Sequence, residues 1–191
     1  MAGYARTGIG VARYDSVTMN RTNTTPDQLR LLSALLASPG SESLDVLHEM
    51  AAKHVWLAKS VVELDQTPLE EWQAEHTRLF ISGHPKTVCP PFESAFLSGT
   101  MFSTASDQLG DLYRRAGLQA ESLPPDYLGT QLECAAYLSE QPCDHGSELL
   151  LELWQDHLAA WLPRFGSELQ KESRLLLYRL FGQQLAELSL G

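Results

Sequence analysis

Leucine dominates the apolar positions of this sequence, and that imbalance constrains the fold more than any other feature. The chain of 191 residues contains 33 leucines but only 9 valines and isoleucines together. Helices favour leucine, whereas strands favour β-branched side chains. Little of the sequence alternates between apolar and polar residues with the period of two that a strand requires. The sequence therefore predicts an all-α protein, a single-domain helical bundle of about nine to eleven helices.

Capping residues, glycines and prolines place the helix boundaries. Thr25-Pro26 has the capping pattern that opens a helix. The apolar spacing predicts one uninterrupted helix from Ser43 towards Leu64. Its buried face would be formed by Leu44, Leu47, Ala51, Val55, Ala58 and Val62. A later amphipathic helix begins near Ser147 and is expected to end or kink at Pro163. Asp126 is expected to cap the helix that follows it.

The chain is predicted to have a short leader and one domain. Residues 1–24 read as a loosely ordered N-terminal leader, and residues 25–191 as the helical domain. A break near 118–125 is interpreted as a hinge between two groups of helices. Because a hinge of this kind allows helices to be exchanged between copies, we expect either a monomer or a domain-swapped dimer.

Charge and composition exclude several classes of function. The 14 Lys and Arg against 24 Asp and Glu give a net charge of −10, which argues against nucleic acid or an anionic membrane surface as the main partner. No apolar run approaches the ~18–20 residues of a membrane span. Three irregularly spaced cysteines (Cys89, Cys134 and Cys143) do not make a disulfide framework, which favours a reduced, cytoplasmic setting. The histidines and cysteines lack the spacing of a metal site, and no phosphate-binding loop is present.

Apolar side chains crowd a proline-rich break between two predicted helices. The break runs from Ile81 to Ser94 and contains Pro90-Pro91, and a loop of this length in a compact domain is often functional. Such side chains are most often part of the core, but their concentration here also suits a preformed apolar groove for a peptide. The crowded residues are Trp72, Leu79, Phe80, Phe92, Phe96, Leu97, Met101 and Phe102.

Three motifs in order resemble one known family. Leu79-Phe80 is followed by Pro90-Pro91-Phe92-Glu93-Ser94-Ala95-Phe96-Leu97. The second motif is Pro125-Asp126-Tyr127-Leu128 with Gln131-Leu132-Glu133, and the third runs from His157-Leu158 to Trp161-Leu162-Pro163-Arg164-Phe165. Together they resemble the TorD/DmsD/NarJ-like chaperones, the redox enzyme maturation proteins of molybdenum oxidoreductases. The resemblance extends from about Pro26 to the C-terminus.

The resemblance implies a non-catalytic, all-helical chaperone that works in the cytoplasm. Its partners would be the twin-arginine leader and the apo form of a molybdoenzyme catalytic subunit, held until the cofactor is inserted and export proceeds. Guanine nucleotide is bound by some members, and no other cofactor is implied. Tyr127 stands where many members have His, and Phe92 stands in place of Tyr. The implied peptide-contacting residues are Trp72, Leu79, Phe80, Pro90, Pro91, Phe92, Glu93, Ser94, Pro125, Asp126 and Tyr127.

A physical mechanism for leader binding follows from the charge and the apolar residues. An acidic protein attracts the two arginines of a leader, and Glu93, Asp126 and Glu133 are the predicted carboxylates. Phe80 and Phe92 are expected to bury its apolar part.

Two other classes of function stay open from the residues alone. One is a small helical hydrolase that uses Cys89 with His84, since a Cys–His pair is a common nucleophilic arrangement. The other is a helical interaction protein that has no leader client.

Overall fold

The computed structural model describes residues 24–101, 104–120, 123–141 and 144–188, and those residues fold almost entirely into helices. The α-helices are α1 (Pro26–Ala34), α2 (Ser43–Lys53), α3 (Ala58–Leu64), α4 (Leu69–His76), α5 (Glu93–Ser98), α6 (Thr104–Arg115), α7 (Leu128–Ser139), α8 (Asp144–Glu152), α9 (Ala159–Glu172) and α10 (Leu176–Glu187). A π-helical stretch, Leu153–Leu158, joins α8 to α9, so the ten α-helices form nine continuous rods over the described residues. A second π-helical stretch, Thr77–Ile81, extends the α4 rod. The extended pairing within those ranges is one isolated bridge between Phe92 and Tyr127. The all-α prediction is confirmed.

Some predicted features fall outside the described residues. Nearly all of the predicted leader, residues 1–23, lies there, as do Phe102 and Cys143. Two residues of the predicted hinge, 121 and 122, also lie outside.

The first helix begins where the capping pattern predicts. The hydroxyl oxygen of Thr25 accepts a hydrogen bond from the backbone N–H of Gln28 at 3.2 Å, and Pro26 is the first helical residue. This bond satisfies one of the N–H groups that a helix start leaves without a partner. The buried leucines of α1 then pack against α7.

The prediction of one uninterrupted helix from Ser43 to Leu64 is wrong. The backbone of His54 leaves the helical region, with φ −119° and ψ 86°, and ends α2. The chain restarts in a short 3-10 turn, Val55–Leu57, which continues into α3. This interruption rotates the following residues, so Val55 and Val62 are exposed although the helical spacing assigned both to the buried face.

Pro163 does not end its helix, so that part of the prediction is wrong. It lies inside α9, which continues to Glu172. A proline lacks the N–H that would bond the carbonyl one turn earlier. That carbonyl belongs to Ala159, and because Ala159 and Pro163 are both on the exposed side of the helix, water can hydrogen-bond to it.

The centre of the molecule is the crossing of α9 and α10. Gly166 on α9 and Gly182 on α10 let the two backbones meet, since a Cβ atom on Gly182 would lie 2.6 Å from the carbonyl oxygen of Gly166. Large side chains, among them Trp161, Phe165 and Phe181, fill the interior around this crossing. Across the described ranges, no helix has the length and apolarity needed to cross a membrane.

Candidate functional site

A groove opens beside the two adjacent prolines, and we call it the double-proline groove. It has a volume of about 510 Å³ and lies between the end of the α4 rod, the loop 82–92, α5 and α9. Its lining is mostly apolar with three charged residues. The lining residues are Phe80, Ile81, Lys86, Thr87, Val88, Pro90, Phe92, Ala95, Phe96, Gly99, Met101, Arg164 and Glu168.

The loop that forms one wall of the groove is tied to its surroundings by backbone hydrogen bonds. The N–H of Cys89 donates to the carbonyl of Leu79 at 2.8 Å. Beyond the prolines, the N–H of Leu128 donates to the carbonyl of Pro91 at 2.9 Å. Because Pro90 and Pro91 also restrict the backbone, this wall is held in shape before any guest arrives.

Asp126 caps α5 and not the helix that follows it in sequence, so the prediction that it caps α7 is wrong. Its carboxylate accepts hydrogen bonds from the hydroxyl of Ser94 and, at 3.1 Å, from the backbone N–H of Ser94. Its carbonyl oxygen accepts the N–H of Glu93 at 3.0 Å. The N-cap of α7 is Tyr127, which makes no side-chain capping bond. The first two family motifs, 32 residues apart in sequence, are therefore joined at the start of α5.

The Glu93 carboxylate contacts a buried histidine inside the protein. It lies 3.1 and 3.2 Å from Nδ1 of His157, and both side chains are buried. A carboxylate in this position holds α5 to the rod of α8 and α9, and burial keeps it from meeting a guest arginine in this conformation.

The other two predicted arginine partners do not reach the groove either. Asp126 is 0% exposed, and its carboxylate serves Ser94 as described above. Glu133 is exposed on α7, 4.0 Å from Nε of Arg30, and is not among the lining residues. The structure therefore does not support the expectation that these carboxylates meet the arginines of a leader.

The third motif also meets α5. Phe96 contacts Trp161 and Phe165 with ring centroids 5.6 and 5.3 Å apart. With His157 on Glu93, this places all three motifs around one six-residue helix. The three motifs that carry the family resemblance thus form the walls that support the double-proline groove, and many of their polar side chains bond to one another inside the protein.

Only part of the predicted peptide-contacting set lines the groove. Phe80, Pro90 and Phe92 do, although Phe80 is only 4% exposed and packs against Tyr178. Leu79 and Pro91 are buried. Ser94, also buried, is bonded to Asp126. These buried side chains support the wall of the groove from inside the protein and are not exposed to a guest peptide.

Three predicted residues lie elsewhere. Trp72 lines a separate groove between α1 and α2 and donates its indole N–H to Tyr178 at 2.9 Å. Pro125 borders a cavity beside α6, and its carbonyl accepts the hydroxyl of Tyr113 at 2.8 Å. Tyr127 is half-buried against Phe92, with ring centroids 5.4 Å apart, so the residue at the family's His position supports the groove wall from behind.

Sequence reasoning missed the charged residues of the groove. Lys86, Arg164 and Glu168 line it beside the apolar side chains. A signal was available for two of them, because Arg164 lies within the third motif and Glu168 follows it one helical turn later.

The proposed Cys–His pair is not assembled. Cys89 is 0% exposed, and burial raises the pKa of its thiol to about 12. His84 is exposed, and the described contacts contain no hydrogen bond between the two side chains. A nucleophilic cysteine needs an accessible thiolate, so this arrangement does not favour the hydrolase alternative. Within the described ranges, no group of three or more His, Cys, Asp or Glu side chains is arranged to hold a metal ion.

Comparison with known proteins agrees with the motifs. The sequence is 27% identical over 106 residues to the chaperone protein YcdY of Escherichia coli strain K12, which covers 56% of this chain and 54% of that protein. The chain thus matches about half the length of this curated relative. The fold is similar to the crystal structure of a putative redox enzyme maturation protein from Archaeoglobus fulgidus, with a TM-score of 0.63 and 26% sequence identity over 92% of this chain and 98% of that one.

The family itself follows from the match to a family profile. The profile of the nitrate reductase delta subunit family matches residues 33–167, well over half of the chain, and that range contains all three motifs around α5. The chain therefore belongs to the nitrate reductase delta subunit family, which confirms the resemblance to the TorD/DmsD/NarJ-like proteins.

Proposed function

We propose that this protein is a redox enzyme maturation chaperone that binds a subunit of a molybdenum oxidoreductase before export. It holds the twin-arginine leader and the apo form of that subunit while the cofactor is inserted. Family membership and the likeness to a redox enzyme maturation protein support the general role. The observation that carries the finer proposal is the double-proline groove, an open channel that presents both apolar and charged side chains and has a pre-shaped wall.

The apolar residues of the groove suit the apolar stretch of a leader peptide. A leader combines two arginines with an apolar stretch, and that stretch is the part that gains most by leaving water. The half-buried Phe92 and the 41%-exposed Met101 offer apolar surface along the channel. Because the loop is already ordered by its backbone bonds, the entropy cost of binding falls mainly on the peptide.

The test is calorimetric titration of a synthetic twin-arginine leader peptide into wild type and variants. Truncating Phe92 to Ala removes about 60–80 Å² of apolar contact, equivalent to ~1.5–2 kcal/mol. We expect the Kd to rise about tenfold or more. Met101→Ala should weaken binding in the same direction by less, because methionine offers a smaller contact.

Phe80 is not a suitable probe, although sequence reasoning chose it beside Phe92. It is nearly fully buried, and a truncation there would cost ~3–5 kcal/mol of stability. The matched control is Leu151→Ala, which removes a 48%-exposed leucine on α8 outside the groove lining. Equal leader affinity in Phe92→Ala, Leu151→Ala and wild type would exclude the double-proline groove as the leader site.

A further inference from the structure

Glu168 is the only carboxylate among the described lining residues of the double-proline groove, and Arg164 already pairs with it. The charged lining residues are Lys86, Arg164 and Glu168, so an arginine that enters this channel finds Glu168 and two cations. Nε of Arg164 donates to Oε1 of Glu168 at 3.1 Å. A guest arginine must therefore either avoid Glu168 or take the place that Arg164 now holds.

The place that Arg164 holds is shaped for a guanidinium. Its Cζ lies 5.1 Å from the centroid of the Phe96 ring, within the range of a cation–π contact. An aromatic face on one side and a carboxylate at the edge is an arrangement that suits arginine better than lysine, because the planar group can stack and donate at once. Phe96 is itself held by Trp161 and Phe165, so the aromatic side of this place is rigid.

The Arg164 guanidinium is also easy to displace. The side chains of Arg164 and Glu168 are 64% and 39% exposed, and an exposed pair one helical turn apart contributes little to stability. Arg164 lies on the solvent side of α9 and can turn outward without disturbing the core.

We propose that Glu168 binds an arginine of the guest peptide and that Arg164 takes the position of that arginine when no guest is bound. This inference rests on the proposed function and deepens it by naming the recognition residue. When a guest is bound, its arginine lies between Glu168 and the Phe96 ring, and its apolar residues lie along Phe92. When the groove is empty, Arg164 pairs with the same carboxylate, and a guest arginine must displace it.

The experiment compares two peptides on matched variants. One is a synthetic leader with two arginines, and the other has both arginines replaced by glutamine. Glu168→Gln should weaken the arginine peptide about five- to tenfold and leave the glutamine peptide within about twofold. Arg164→Gln should tighten the arginine peptide about threefold or more, because the competitor for Glu168 is gone.

The control is Glu49→Gln on α2. It makes the same change of net charge at an exposed carboxylate outside the groove lining, so it measures the general attraction of an acidic protein for a basic peptide. Far-ultraviolet circular dichroism and the unfolding midpoint verify that each variant is folded, as expected for exposed positions.

The outcomes separate this inference from the proposed function. If Glu168→Gln and Glu49→Gln affect the arginine peptide equally, or if Arg164→Gln weakens its binding, the roles proposed for Glu168 and Arg164 are refuted. The groove could then still bind the apolar part of the leader. If neither peptide responds to Phe92→Ala, the proposed function itself fails at this groove. Specific loss in Glu168→Gln together with tighter binding in Arg164→Gln supports the inference.

Discussion

The side chain of Asp126 offers the sharpest test of how this fold builds its groove. It is fully buried, and its carboxylate accepts the backbone N–H and the hydroxyl of Ser94 at the start of α5. We expect Asp126→Ala to destabilise the protein although it removes no apolar contact. The backbone carbonyl of Asp126 still accepts from Glu93 in the variant, so the change isolates the carboxylate.

The magnitude follows from what the substitution leaves without a partner. Losing a helix cap costs ~0.5–2 kcal/mol. A buried hydroxyl left unsatisfied costs about 1–3 kcal/mol more. One carboxylate oxygen, Oδ1, has no partner in the described structure, and removing that desolvated atom offsets part of the loss. We therefore expect a net loss of about 2–4 kcal/mol, or a fall in Tm of roughly 4–16 °C for a chain of this size.

Urea unfolding of Asp126→Ala, Ser94→Ala and the double variant measures both the loss and its origin. If the two side chains act through one another, the double variant loses less than the sum of the single ones, by about 1 kcal/mol or more. Asp156→Ala, at an exposed position, is the control and should stay within about 0.5 kcal/mol of wild type. An Asp126→Ala variant as stable as that control would show that the carboxylate does not hold α5.

Loss of the cap on α5 should also lower the affinity of the groove for the leader peptide. Because Asp126 does not line the channel, any loss of leader affinity in Asp126→Ala comes from the loosened wall. Hydrogen exchange at the amides of α5 should become faster in the variant, since those amides would open by local unfolding. Unchanged exchange would contradict the link between the cap and the wall.

Two further predictions concern the frame of the molecule. Gly182→Ala should destabilise the protein by ~1–3 kcal/mol, because its new methyl group meets the backbone of Gly166. Gly110→Ala in α6 has room for the methyl group and should stabilise the protein by up to ~1 kcal/mol through helix propensity. Thermal unfolding of the two variants checks this, and a stabilised Gly182→Ala would contradict the close approach of α9 and α10. Burial raises the pKa of Glu75, but its bonds to Arg78 and to a backbone N–H outweigh burial and lower the pKa overall. The carboxylate therefore contributes stability above its unfolded pKa of about 4.3 and loses it as the pH falls through the lower folded pKa. The stability difference between wild type and Glu75→Gln should narrow from pH 7 to about pH 3, and a constant difference in urea unfolding would contradict this assignment.

Local sequence patterns predicted the features that depend on neighbouring residues along the chain. The leucine excess predicted helices, the Thr25-Pro26 pair predicted the start of α1, and the break after Ile81 marked the loop that forms the groove. Where an interruption changed the phase of a helix, as at His54, the same reasoning assigned Val55 and Val62 to the wrong face. The sequence identified which motif side chains can cap a helix or form an ion pair, but spacing along the chain could not show which residues they contact.

What the sequence determined by itself is the class of fold and the family, because periodicity, capping and ordered motifs are properties of consecutive residues. The tertiary structure decided which side chains of those motifs face a guest and which face the interior. Glu93 and Asp126 were assigned to an arginine from their charge, yet they serve His157 and Ser94 from distant parts of the chain. A carboxylate acts on whatever lies within a few ångströms of it, and only folding determines that neighbour.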